Sequence, residues 1–439
     1  VNGNEFTPED FRYSLRRTRE EESTYKSNYD PIRPLDEGGV EVVDDTTLRI
    51  NMEFPFAPML VFLTRTYGRG AVVQCKGAVE ELGEDFRASP VGTGAFKVAQ
   101  NNQGGMLQLD AHENYFKTDG DGNQLPYLDG IDVSFLPESS TLANALIAGD
   151  VHFINSVPQS QVPTLAPSER VAIDAAPGGN WFTFQFTLND EPLSSLKFRQ
   201  GVNMLVDRDA FINRAILGYG RVAKGPIAPA MGRYGRANSE KTNADLQTYD
   251  PERGRQFIED AGYGNLLDSG DAAFTVNVTT TWANGLRMGR VLRQLLAEEG
   301  LTIEVNQLPV STFWDRWEKR DYDAQISSSS GDADPDQSLY PYWRKKDDGG
   351  VWNMTYYGEG VGETRHADQV HRMLATQRET TELEERAGMI HEIEDMIMED
   401  ATHIFLYHQD DMIARANSVQ GYPNIAFVNR FETVWMEEN

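Results

Sequence analysis

Cysteine is almost missing from this chain. Cys75 stands alone among 439 residues, so no internal disulfide can form. A single thiol of this kind reads as a small hydrophobe rather than as a nucleophile. Lysine is scarce too: 10 Lys and 30 Arg face 68 Asp and Glu, leaving a formal net charge of −28. That balance excludes an electrostatic nucleic-acid binder, because phosphate contacts need a basic field. Long apolar runs are also lacking. The longest, Phe56 to Leu63, falls far short of the ~20 residues that span a bilayer. Internal repeats and low-complexity tracts are absent. The excess of acid has two readings, a salt-adapted surface and a composition favouring Arg codons, and the sequence leaves both open.

Catalytic signatures are missing as well. His391-Glu392 lacks the second His of a zinc-protease helix, and no Gly-x-Ser-x-Gly or phosphate-binding loop occurs. His366/His371 and His403/His408 are each five apart, which does not align them on one helix face. Two acidic runs imitate calcium loops and fail. In Asp119, Asp121, Asn123 the required Gly is Gln124 and the bidentate Glu is Gly130; in Asp332, Asp334, Asp336 the corresponding positions are Gln337 and Trp343. The first run reads as a turn. No metal or other cofactor is expected.

Element signals are plentiful. Thr7, Pro8 and Asp10 form a helix start with capping-box spacing, and Phe6 and Phe11 occupy staple positions, predicting a helix over 8–22. Residues 40–54 alternate as a hairpin around Asp44-Asp45, and 90–136 as an antiparallel sheet. A helix around 139–148 ends at Gly149. Beyond residue 180 the period changes. Val202, Leu205 and Val206 sit at helical spacing, and Asp209 can cap a second helix carrying Ile212, Ala215 and Ile216. With helices at 251–261 and 285–299 and strands at 274–278 and 303–305, they predict a parallel α/β lobe. A helix at 312–319 and a strand at 322–328 extend it, and the segment 382–399 carries Leu383, Arg386, Ile390, Ile393 and Ile397 at core spacing.

One stretch stands out chemically. Ser327 to Asp336, with Asp332, Asp334 and Asp336, follows directly on the predicted strand 322–328. Ligands of open α/β sheets bind outside the carboxyl ends of strands, and a carboxylate there can pair with a ligand amine. The bland reading is a solvated loop whose Asp residues cap the next helix. Aromatic residues gather nearby, among them Tyr340, Tyr342, Trp343, Trp352, Tyr356 and Tyr357, on a loop stretch rather than a periodic helix.

The order of seven segments resembles the solute-binding proteins of peptide-type ABC importers, the dipeptide/oligopeptide-binding family. They are FTPEDFRYSL (6–15), SPVGTGAFKV (89–98), GNQLPYLDGIDVSF (122–135), LIAGDVHF (146–153), LKFRQGVNMLVDRDAFINRAILGYG (196–220), YDPERGRQFIEDAGY (249–263) and YDAQISSSSGDADPD (322–336). The resemblance covers essentially the whole chain. It implies an α/β, periplasmic-binding-protein-like two-lobe clamshell with mixed sheets, two hinge strands and an extra subdomain in the first lobe. Residues 1–110 would be that subdomain and sheet, 111–178 the core of lobe one, 179–410 lobe two, and 411–439 the return to lobe one. Hinges are expected near Trp181–Phe186 and His403–His408. The family's first strand-rich segment is not in the sequence, so the resemblance implies an N-terminally truncated chain.

The function implied is non-enzymatic: an extracytoplasmic receptor, periplasmic or at the outer face of the membrane, that captures a peptide or related solute. It would act as a monomer, deliver the solute to an ABC importer permease, and meet the membrane only through that permease or a lipid anchor. In peptide-binding relatives an Asp shortly before the Asp-Pro holds the α-amino group, and Asp332 matches it. The spacing to Pro335 is one residue shorter than in the dipeptide binders, and a Ser run replaces the Trp that often precedes the Asp. These departures leave room for an oligosaccharide, and a nickel complex is a further candidate. Asp332 and Asp334 are the expected polar contacts, with Trp282, Trp352 and Tyr356 as walls. The rivals are a hydrolase pairing Asp332 with Asp334 and a peptide sensor on the same scaffold.

Overall fold

The computed structural model describes residues 3–20, 29–64, 72–102, 104–280, 284–329, 334–423 and 430–437. The chain divides into two units. Unit 1 comprises residues 1–55, 59–176 and 411–439, and unit 2 comprises 56–58 and 177–410.

Unit 1 opens with α1 (Pro8–Glu20). Its start is a variant of the capping box. The Thr7 N–H and hydroxyl both donate to the Asp10 carboxylate at 2.9 and 2.8 Å. The other Asp10 oxygen takes the Lys76 N–H at 2.9 Å. Phe6 remains half exposed and does not close the expected staple. A hairpin follows, β1 (Val40–Asp44) and β2 (Thr47–Ile50), turned by Asp44 accepting from the Thr46 N–H. Helix α2 (Lys76–Leu82) contributes Ala78 and Val79 to a small core with Phe86 and Tyr13.

Strands β3 (Phe96–Asn101), β4 (Met106–Ala111) and β5 (Gly130–Ser134) form an antiparallel sheet in that order. The Asp119 run is a turn: its carboxylate accepts the N–H groups of Asp121 and Asn123 at 2.9 and 2.8 Å. Helix α3 (Ser139–Ala148) stops at Gly149, whose φ of 87° suits a residue without Cβ. Strand β6 (Phe153–Ile154) ends this part.

Strand β7 (Val171–Phe186) passes from unit 1 into unit 2 between Ala176 and Pro177. Unit 2 continues with α4 (Leu196–Met204), α5 (Arg208–Ile216), β8 (Arg221–Val222), α6 (Pro251–Asp260), β9 (Thr275–Thr279) and α7 (Gly285–Glu298). Then come β10 (Glu304–Leu308), α8 (Val310–Lys319), β11 (Ala324–Ser328), α9 (Pro335–Trp343), α10 (Ala367–Glu379) and α11 (Leu383–Asp400). Strand β12 (His403–Ala416) leaves unit 2 after Asp410, pairs with β6 in unit 1, and is followed there by β13 (Val419–Gln420) and β14 (Trp435–Met436).

The sheet of unit 2 runs β10-β9-β11-β7-β12, with β8 on β12. Strands β10, β9 and β11 are parallel, and β7 is antiparallel to β11. Both faces are covered, as parallel strands require. On one face Phe184, Val276, Val278, Ile326 and Ile404 meet α4, α5, α7 and Phe313 of α8. On the other, Trp181 and Phe405 meet Tyr342, Trp343, Leu374, Ile390 and Ile393 of α9, α10 and α11. The stretches Trp181–Phe186 and His403–His408, expected as hinges, lie inside these cores. The crossings between units fall beyond them, at 176/177 and 410/411.

Candidate functional site

The parallel strands of unit 2 share one carboxyl end, where β9 stops at Thr279 and β11 at Ser328. The segment beyond β11 is the loop that the sequence singled out. Its near stem is fixed by backbone and hydroxyl bonds. The Ser329 N–H donates to the Trp181 carbonyl at 3.1 Å, and the Ser329 hydroxyl accepts the Trp181 N–H at 3.1 Å. The Ser328 carbonyl accepts the Tyr342 hydroxyl at 3.1 Å. Asp332 and Trp282 lie outside the described residues.

The far stem is fixed by charge. Asp334 is the N-cap of α9, accepting the Asp336 N–H at 2.9 Å, and Pro335 fills the first helical position. Both Asp334 oxygens also receive Arg386, at 2.7 and 2.6 Å. Asp334 is 3% exposed and Arg386 1%. Two residues on, Asp336 takes Arg378 through Nε and Nη2, at 2.8 to 3.0 Å, and Gln377 at 2.6 Å. Arg378 also lies over the Tyr340 ring at 3.5 Å. Burial opposes the charge on both guanidiniums. The carboxylates more than compensate, so each guanidinium is held above its ordinary range. Asp334 therefore spends its carboxylate on Arg386 and its own helix. It is a stem residue rather than a free polar contact.

The aromatic residues divide between the two ends of the sheet. Trp352 packs on Tyr342 with ring centroids 5.2 Å apart, and Tyr342 meets Trp181 edge-on at 4.9 Å. Since Tyr342 bonds Ser328, Trp352 stands beside the near stem, and it is 39% exposed. Tyr356 belongs elsewhere. The Arg320 guanidinium lies over its ring at 4.3 Å and pairs with Glu359 at 2.6 Å. Its neighbour Met354 accepts the Tyr322 hydroxyl, and Thr355 bonds Leu188. These residues flank the amino end of β11, away from Ser328. A cavity of about 610 Å³ opens at that amino end, lined by Asn277, Asn306, Arg316, Arg320, Tyr322 and Asp323 among others. The structure thus brings Asp334 and Trp352 to the predicted loop and places Tyr356 at the opposite edge.

Arg386, Arg378 and Trp181 were not singled out by the sequence as site residues. One signal was available: Arg386 occupies a core position of an amphipathic helix, where a cation needs a buried partner. Among the described residues no group of three or more His, Cys, Asp or Glu could hold a metal ion, and no helix is long and apolar enough to cross a membrane.

Residues 1–350 match the profile of the bacterial extracellular solute-binding proteins, family 5 Middle. The glutathione-binding protein GsiB of Pectobacterium atrosepticum is 25% identical over 405 residues, covering 87% of this chain and 70% of that one. Heme-binding protein A of Haemophilus influenzae is 26% identical over 397 residues, covering 88% and 68%. Among solved structures, the periplasmic binding protein DppA of Helicobacter pylori in complex with peptide STSA superposes with a TM-score of 0.75 at 20% identity. That match covers 99% of this chain and 82% of the other, and it shows the fold.

Proposed function

The chain belongs to the bacterial extracellular solute-binding proteins of family 5, and from that premise we propose that Asp332 takes the α-ammonium group of a peptide-like solute. The protein is an extracytoplasmic receptor that captures a peptide or related small solute and delivers it to an ABC importer, at the periplasmic or extracellular face of the membrane. One observation carries the amine assignment. The segment bearing Asp332 leaves the carboxyl end of β11 between two fixed stems, with the half-exposed Trp352 beside the first. A carboxylate contributed by this stretch of sequence, together with the exposed Trp352 face, would suit a cation with an apolar neighbour. Glutathione and the peptide STSA, the solutes named for two of the relatives, both carry an α-ammonium group.

Trp352, with Trp282 from the stretch of sequence between β9 and α7, is assigned to the ligand wall. The position of Tyr356 at the other edge favours a structural role under Arg320. The protein is assigned no turnover, because both Asp334 oxygens are held by Arg386 and the pair with Asp332 lacks a free second carboxylate. It is expected to work as a monomer against its permease. An oligosaccharide is the second reading, favoured by the exposed Trp352 face.

Thermal-shift screening of peptides, oligosaccharides and nickel complexes separates these readings. A free-amine peptide at a hundredfold excess over its Kd should stabilise the protein by about 2.7 kcal/mol. Asp332→Asn should abolish that shift, and an undiminished shift in the variant refutes the amine role. Stabilisation by oligosaccharides alone establishes the second reading. Release of a cleaved product would establish a hydrolase.

A further inference from the structure

One face of the parallel strands is polar, although parallel strands covered on both sides ordinarily carry apolar residues on each. Side chains alternate along a strand. Thr275, Asn277 and Thr279 of β9, Asn306 of β10, and Gln325 and Ser327 of β11 therefore share the face opposite Val276, Val278 and Ile326. Four amides stand in register across it: Gln185 on β7, Gln325 on β11, Asn277 on β9 and Asn306 on β10. Gln185 donates to the Tyr322 hydroxyl, and Asn306 donates to the Asn277 side-chain oxygen at 3.3 Å. Gln325 is fully buried, and neither of its amide atoms has a partner. Buried amides are ordinarily bonded, so packing alone does not account for this row.

The row ends in a cavity. Asn277 and Asn306 line the space of about 610 Å³ at the amino end of β11, a volume within the range of about 300–1,000 Å³ usual for small-molecule sites. Strand β11 has 5 residues, so roughly 13 Å separate this cavity from Ser328 at the carboxyl end. The lining offers donors and acceptors side by side. The oxygen of Asn306 and Nδ2 of Asn277 take no bond among the described residues. Asp323 gives one carboxylate oxygen to the Thr275 N–H at 2.8 Å and keeps the other. Arg316 is held loosely, 3.9 Å from Asp321.

This lining is selective by charge and polarity. An anion would face four carboxylates, and a bare cation three basic side chains. An apolar solute would find Val305 as the one aliphatic residue among the described lining. A hydroxyl both donates and accepts, so a ring bearing several hydroxyls satisfies both sets without adding charge. We propose that this cavity is a second binding site, for a neutral polyhydroxylated solute of monosaccharide or cyclitol size. Asn277 and Asn306 take one pair of neighbouring hydroxyls, Asp323 and Arg316 another. The unpaired amide of Gln325, next in the row, can take up the bond that Asn277 gives up on turning to the solute. The site does not depend on the amine reading of Asp332.

The test uses the full chain, with D-glucose and myo-inositol as probes and calorimetry as the readout. At least one probe is expected to bind saturably. Asn306→Leu removes the amide from the floor at nearly constant size, and Arg316→Met removes the guanidinium from the wall. The Arg316 side chain is 41% exposed, so its variant reads the site even where Asn306→Leu fails to fold. Each folded variant should bind the probe at least about tenfold more weakly. Trp352→Ala, at the other end of β11, should bind it as the wild type does. Binding lost in Trp352→Ala but kept in both cavity variants puts the sugar at the capture loop and overturns the proposal. Affinity unchanged in all three variants overturns it as well. So does a wild type that binds neither probe, or that binds only inorganic phosphate or 1,4-diaminobutane.

Discussion

Two histidines on one strand make the fold sensitive to acid. His403 and His408 of β12 are buried, and loss of water around the ring holds each down to about 3. In the unfolded chain both titrate near pH 6.5. Above that pH neither state binds the proton and their contribution is complete. Below it the unfolded state takes up two protons that the fold refuses, so stability is lost as pH falls from about 6.5 toward 3. The limiting slope is about 2.7 kcal/mol per pH unit for two groups. Chemical unfolding between pH 6.5 and 5 should show this loss, since most carboxylates are still ionised there. Burial raises Asp400, so its contribution has the opposite sign, lost as pH rises above the ordinary carboxylate range. His408→Asn should lower the slope by up to about 1.4 kcal/mol per pH unit; an unchanged slope would mean that His408 does not set it. The residue scale is also where sequence reading reached least far. The Asp-x-Asp spacing at 334 and 336 was visible, but Arg386 lies 52 positions beyond Asp334 in the chain. Only the packing of α10 against both α9 and α11 decides that this carboxylate is spent on a buried cation. Truncation to Asp334→Ala strands Arg386 and removes the cap of α9, and should cost about 3–5 kcal/mol in unfolding free energy.

At the scale of elements, local signals were strongest where a cap and a period agree. The Asp250-Pro251 start and the Gly262 stop delimit α6, observed at Pro251–Asp260, and the strand–helix–strand run from β9 to β10 pairs in parallel register. The first half of β7 was hidden. Its Pro177-Gly178-Gly179-Asn180 stretch carries turn formers, yet it lies within one strand of 16 residues. Pairing within a sheet overrides that local preference. Glycine has a second, opposite use where α4 crosses α6. A Cβ on Gly201 would stand 2.7 Å from the Gly254 carbonyl and 2.7 Å from an Ile258 side-chain carbon. A Cβ on Gly254 would stand 2.9 Å from the Gly201 carbonyl. Neither approach involves a positive φ, so the requirement is space alone. Gly201→Ala should therefore push the two helices apart and destabilise unit 2 by about 1–3 kcal/mol, read as a lowered denaturant midpoint. A midpoint equal to wild type would show that the crossing relaxes without loss.

For the whole molecule, the sequence made the α/β class and the family resemblance legible, because seven modest segments occur in one order. The meaning of the −28 charge was not legible, since composition says nothing of where charges meet. The structure shows how many of the scarce cations are already engaged. Exposed pairs such as Arg214–Glu298, Arg253–Asp245 and Lys197–Asp260 stand at 2.6 to 3.1 Å, and Arg236 and Lys241 are spent on Glu394 and Asp395. With 68 acids against 40 Lys and Arg, carboxylates outnumber these cations by 28. Salt acts on both populations. Screening weakens exposed attractive pairs, each worth about 0–1 kcal/mol, and it weakens the repulsion among the surplus carboxylates. The surplus is the larger and longer-ranged of the two, so raising KCl from 0.1 to 1 M, which shortens the Debye length from about 10 to 3 Å, should raise Tm. Screening saturates once the Debye length falls below the spacing between charges, whereas exclusion of a neutral osmolyte such as sucrose keeps acting with concentration. A Tm that climbs steeply and then levels with KCl, but rises steadily with sucrose, identifies repulsion as the destabilising force and a salt-adapted surface as its setting. A Tm indifferent to KCl would mean that attraction and repulsion already balance, and would leave codon preference as the account of the acidic surface.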